Sequence, residues 1–76
     1  MKPYKNLDGD SGIEFYEISD DSITVRFSSG TARNYLYTYQ KPGATMVEKM
    51  KSLAAQGRGL NSYIKTVVDK QYADKW

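Results

Sequence analysis

The chain predicts an α+β domain: a three-stranded antiparallel β-meander followed by two C-terminal helices packed on one sheet face. Three observations carry this. Apolar and aromatic residues alternate at period two between Ile13 and Tyr39, which is strand geometry. After Pro42-Gly43 the period lengthens to that of a helix. A length of 76 residues allows one domain with one core.

Met1 to Asp10 is polar and lacks periodicity, so residues 1–10 read as a flexible tail or early turn and 11–76 as the single folded domain. Ile13 to Ile18 reads as the first strand. Ser19-Asp20-Asp21-Ser22 is a turn cluster. Ile23-Thr24-Val25-Arg26-Phe27 alternates cleanly and forms the second strand, and Thr31 to Tyr39 the third.

The Ser28-Ser29-Gly30 turn decides which way the tyrosines of the third strand face. A three-residue loop with Gly30 left-handed pairs Phe27 with Thr31, Val25 with Arg33 and Ile23 with Tyr35. Tyr35 and Tyr37 then join Ile23, Val25 and Phe27 on the core side. A two-residue Ser29-Gly30 loop pairs Ile23 with Leu36 and sends the tyrosines to the other face, beside Arg26 and Arg33. Glycine at the third loop position favours the first option.

Met46, Val47, Met50, Leu53 and Ala54 fall on one face of a helix, with Thr45-Met46-Val47-Glu48 as capping box and Gly57 as C-terminal stop. The two methionines read as core fillers. Leu60, Tyr63, Ile64, Val67, Val68 and Tyr72 repeat the pattern in a second helix, with Asn61-Ser62 contributing a cap. The Arg58-Gly59 link is short enough to hold the two helices adjacent and angled.

Composition narrows function. Hydrophobic residues at 39% and charged ones at 26% describe a globular chain. No apolar run approaches the ~18 residues of a membrane span, and no signal-peptide core opens the sequence, so a cytoplasmic protein is expected. The absence of cysteine removes disulfides, thiol nucleophiles and thiolate zinc sites. The absence of histidine removes the usual general base and the commonest transition-metal ligand, so no enzyme, cofactor or metal is expected.

Two motifs are set aside. Gly9-Asp10-Ser11-Gly12 spells a serine-protease signature, but a chain without histidine has no base to activate Ser11, and these residues suit a turn. Asp8-x-Asp10 hints at a calcium loop, but the twelfth position from Asp8 is Ser19 rather than a bidentate Glu.

Net charge is +2, unevenly spread: residues 1–21 hold two basic groups and six acids, residues 22–76 nine basic groups and three acids. A basic body permits a polyanion partner, although solubilising surface charge reads the same way. Tyr35, Tyr37 and Tyr39 with Arg26 and Arg33 suggest bases stacking on phenols beside phosphate-binding guanidinium groups. Against this, a domain so small can hardly spare Tyr35 and Tyr37 from its core. Tyr39, at the strand end, is the tyrosine expected outside. Arg58, between two glycines at a helix start, could grip a phosphate, or the glycines could serve the connection alone. Lys65 could extend the track from Arg58. Lys49 and Lys51 fall on the outer side of the first helix.

The Ile23–Phe27 strand, the Ser-Ser-Gly turn, the Tyr35-Leu-Tyr37 pair and the helix start Gly59-Leu60-Asn61-Ser62 resemble the KTSC domain. That small domain occurs at the C-terminus of some lysyl-tRNA synthetases and alone in short bacterial proteins. The resemblance covers roughly residues 11–72. Thr38-Tyr39-Gln40-Lys41 intervenes before Pro42, with no Val preceding that proline, which implies a divergent stand-alone member. The synthetase context of the family implies RNA as a partner. The expected function is a non-enzymatic module binding RNA or another polyanion through Arg26, Arg33, Tyr35, Tyr37, Tyr39, Arg58 and Lys65. The competing reading is protein–protein interaction or self-association through an exposed sheet edge or face.

Overall fold

The computed structural model describes residues 1–7, 9 and 12–76. Asp8, Asp10 and Ser11, which carry the Asp-x-Asp pair and the Gly-Asp-Ser-Gly motif, lie outside the described residues. The chain is α+β, with an antiparallel sheet and two C-terminal helical segments. The sheet has five strands rather than the three expected. In order across the sheet and along the chain these are β1 (Lys2–Pro3), β2 (Ile13–Ser19), β3 (Ser22–Phe27), β4 (Asn34–Thr38) and β5 (Asp74–Lys75).

The three central strands are the expected meander. The two additional strands are only two residues long, too short to show a period. β1 pairs Lys2 with Tyr16 and Pro3 with Phe15, so the opening segment expected to be a loose tail instead closes one sheet edge. Tyr4 follows it into the core at 7% exposure. Its hydroxyl accepts the Leu60 N–H at 3.3 Å. β5 pairs Tyr35 with Lys75 and Leu36 with Asp74, closing the other edge.

A bulge at Glu14 reconciles β2 with its neighbours. Ile13 opposes Phe27 while Phe15 opposes Arg26, so one extra residue sits in β2. Ile13 and Tyr16 are three apart, which strict alternation would send to opposite faces. The bulge buries both.

The β3–β4 register differs from both expected ones. Ile23 opposes Tyr37 and Val25 opposes Tyr35, and the Phe27 N–H donates to the Arg33 carbonyl at 2.8 Å. The loop therefore spans residues 28–32, and the pairing lies two residues from the three-residue-loop register. A shift of two preserves side-chain parity. Tyr35 and Tyr37 thus face the core with Ile23 and Val25, as that register required, although the pairs themselves are different.

Helix α1 runs Ala44–Gln56 and buries Val47, Met50 and Ala54. The expected capping box does not form. Gly43 takes the N-cap position at φ 120°, ψ 162°, without a side-chain cap. Glu48 turns to other partners. Gly57 closes α1 in the left-handed conformation, as expected, its N–H donating to the carbonyls of Leu53 and Ala54.

Helix α2 (Leu60–Tyr63) starts at Gly59 without a cap from Asn61 or Ser62 and continues as a π-helix over Ile64–Val68. The helical path stops there, so Tyr72 is not on it. At Asp69 the backbone turns at φ 52°, ψ −123°. Leu60, Ile64 and Val68 join the sheet's buried residues and those of α1 in one core cluster. Among the described residues no helix is long and apolar enough to cross a membrane.

Candidate functional site

β4 delivers two phenols to the core side of the sheet with different outcomes. Tyr37 is 1% exposed, the largest fully buried side chain of the domain. Burial raises its phenol pKa well above the ordinary 10.0, and neighbouring Tyr35 and Tyr72 add to the shift. Tyr35 is half-buried and meets Phe27 and Tyr72 edge-on, with ring centroids at 5.3 and 5.1 Å. The arrangement is the favourable one for aromatic pairs.

This aromatic group lies in a cleft of about 710 Å³. One wall is the β3–β4 loop, Ser29 to Ala32. Another part of the lining comes from α2 and the π-helix, with Asn61, Ile64 and Lys65. The segment after the π-helix also lines it, with Asp69, Lys70, Tyr72 and Lys75. The volume lies within the ~300–1,000 Å³ of small-molecule sites. Three lysines face one acid, Asp69. Lys65 and Lys70 have no ion pair, and the Asn61 amide has no hydrogen-bond partner among the described residues. The Lys75 ammonium lies 5.3 Å from the Tyr72 ring centroid, and Tyr72, followed by Tyr35, raises its pKa. π-helical turns recur at functional sites, and here one carries Ile64 and Lys65.

The other expected site residues fall elsewhere. Arg33 donates from Nε to the Phe27 carbonyl at 3.0 Å and from Nη2 to Glu14 Oε1 at 3.1 Å. Arg26 pairs with the same carboxylate oxygen at 3.8 Å, although its Nε makes no hydrogen bond. Both guanidinium groups are therefore engaged within the fold.

Tyr39 is 39% exposed, at the strand end as expected, but its hydroxyl donates to Glu48 Oε2 at 2.5 Å. Lys51 sits over its ring at 5.3 Å, bonds the same carboxylate and donates to the Asp20 carbonyl. The Tyr39 bond, then Lys51, holds the Glu48 carboxyl below its ordinary pKa, and the same bond raises Tyr39. Arg58 is exposed at the connection between α1 and α2, outside the cleft. The Leu60 N–H beside it already serves Tyr4.

Of the seven expected residues the cleft gathers Tyr35, Tyr37 and Lys65. Phe27, Asn61, Lys70, Tyr72 and Lys75 join them unforeseen as site residues. For Lys70, Tyr72 and Lys75 the one signal was their clustering within six residues of the C-terminal segment.

Asp69 provides a test of how the cleft wall is built. Its backbone angles are those of the first central position of a type II′ turn, which the Gln71 N–H closes on the Val68 carbonyl at 3.1 Å. Glycine suits that position. Asp69→Gly relieves strain of about 1–3 kcal/mol against a glycine entropy cost of roughly 0.4–1 kcal/mol. Thermal denaturation should show the variant melting several degrees higher.

Among the described residues no group of three or more acidic side chains could hold a metal ion. What the cleft offers is ammonium groups, aromatic rings, hydroxyls, one amide and one carboxylate. No protein-family model, curated protein or solved structure gives a significant match to the chain.

Proposed function

We propose that the protein is a small, non-enzymatic, cytoplasmic module that binds RNA or a related polyanion at the lysine-rimmed aromatic cleft. The observation that carries this reading is that Lys65, Lys70 and Lys75 line one cleft together with Tyr35 and Tyr72. Ammonium groups supply charge to a phosphate, and aromatic rings stack bases at ~1–3 kcal/mol each. The resemblance to the KTSC domain, with its synthetase context, points the same way. The site differs from the one expected along the sheet: Arg26 and Arg33 already share Glu14.

The test is an amide NMR titration with a short mixed-sequence single-stranded RNA at low and moderate salt. Shifts are expected at Ser29–Ala32, Tyr35, Asn61–Lys65 and Lys70–Lys75, weakening as salt rises. An unperturbed spectrum at millimolar RNA would overturn the proposal. A protein partner ranks second, because β1 and β5 partly occupy the outer edges of β2 and β4 where another strand would add.

A further inference from the structure

The cleft has the dimensions and chemistry of a pocket, and the two arginines of the meander are paired rather than free to extend it along the sheet. Three facts set its scale. Its volume of about 710 Å³ is that of a small-molecule site rather than of a groove for many nucleotides. The two arginines that would carry a strand onward across the meander are both engaged by Glu14. Lys51, the cation on α1 nearest an aromatic ring, is likewise engaged, by Glu48, the Asp20 carbonyl and the face of Tyr39.

Inside the cleft the balance is reversed. Among the described residues Lys65 and Lys70 are exposed and without an ion pair, and the half-buried Asn61, which lines the cleft with them, has an unused amide. A carboxamide offers a donor and an acceptor together, the pattern that pairs with the edge of a base. Phe27, Tyr35 and Tyr72 provide the apolar surface on which a flat ring gains by burial.

We propose that the cleft binds a single nucleotide unit. Its phosphate is held by Lys65 and Lys70, its base lies against the Tyr35–Tyr72 pair, and Asn61 meets the base edge. The inference rests on the reading above and narrows it: the ligand is one nucleoside monophosphate, free or at the end of a strand, rather than an extended polymer.

Calorimetric titration with uridine and adenosine 5′-monophosphates, the parent nucleosides, inorganic phosphate and a tetranucleotide decides it. The monophosphates are expected to bind about as tightly as the tetranucleotide. The nucleosides and phosphate alone should each bind at least about tenfold more weakly, ~1.4 kcal/mol. The double variant Lys65→Ala/Lys70→Ala, at two exposed positions, should lose roughly tenfold for the monophosphates with an unchanged melting temperature. Lys49→Ala, on the exposed side of α1, should lose nothing.

A tetranucleotide that binds while the monophosphates do not would overturn the single-nucleotide pocket and leave polyanion binding standing. Monophosphate binding unaffected by the double variant would overturn the residue assignment. Silence from every ligand would remove both proposals.

Discussion

Tyr37→Ala is expected to remove a large share of the domain's stability, about 3–5 kcal/mol. Tyr37 is 1% exposed and lies opposite Ile23, itself 0% exposed. Truncating a buried aromatic to alanine costs ~3–5 kcal/mol through lost transfer energy and the cavity left behind. A domain of this length is stabilised by only about 4–11 kcal/mol, at ~0.05–0.15 kcal/mol per residue. Circular dichroism in a denaturant series measures the loss directly. A tyrosine serving only as an exposed stacking platform would show little change, so a loss below about 1 kcal/mol would contradict the burial described.

The same burial gives stability a sign with pH. The folded phenol has its pKa raised, so the folded chain holds that proton where the unfolded chain releases it. The stabilisation is therefore complete below the unfolded value near 10.0 and declines as pH rises through it.

Gly57→Ala is expected to destabilise by about 2–5 kcal/mol, from two separable causes. The residue has φ +79°, a conformation that costs an L side chain energy, and an added Cβ would meet the Lys5 Cβ at 2.6 Å. That second atom belongs to the opening segment, which is held close because the Leu7 N–H donates to the Gly57 carbonyl at 2.7 Å. Lys5 cannot swing its Cβ aside as it could its ammonium end. Combining Gly57→Ala with Lys5→Gly removes the clash and keeps the strained backbone. The double variant should thus be more stable than the sum of the single effects by about 1 kcal/mol or more in denaturant titrations. Strict additivity would mean that the opening segment does not pack here.

The parts visible in the sequence were those with a repeating pattern. The three meander strands and α1 each run long enough for a period to emerge, and Gly57 is a local stop. β1 and β5 have two residues each, and their pairing is settled by distant partners such as Tyr16 and Leu36. The β3–β4 face was legible because Tyr35 and Tyr37 share parity, whereas the register was not. Gly30 permits several loop lengths, and the Arg33 bond to the Phe27 carbonyl favours the five-residue one.

The apolar period of the second helix continues on paper to Tyr72. The π-helix and the turn at Asp69 take that ring off the helix and set it against Tyr35. The same departure brings Lys70 and Lys75 to the cleft. The engagement of Arg26 and Arg33 depends on Glu14, 12 and 19 positions away, at a bulge that alternation alone conceals.

Glu14 gives this small surface an evolutionary hinge point. One carboxylate is the counter-charge of two guanidinium groups, so the charge balance of that flank turns on a single side chain. Exchanging it for a neutral residue would remove the counter-charge of both at once, while Arg33 kept its bond to the Phe27 carbonyl. A lineage could gain or discard an anion-attracting flank in one substitution, independently of the cleft and of the core.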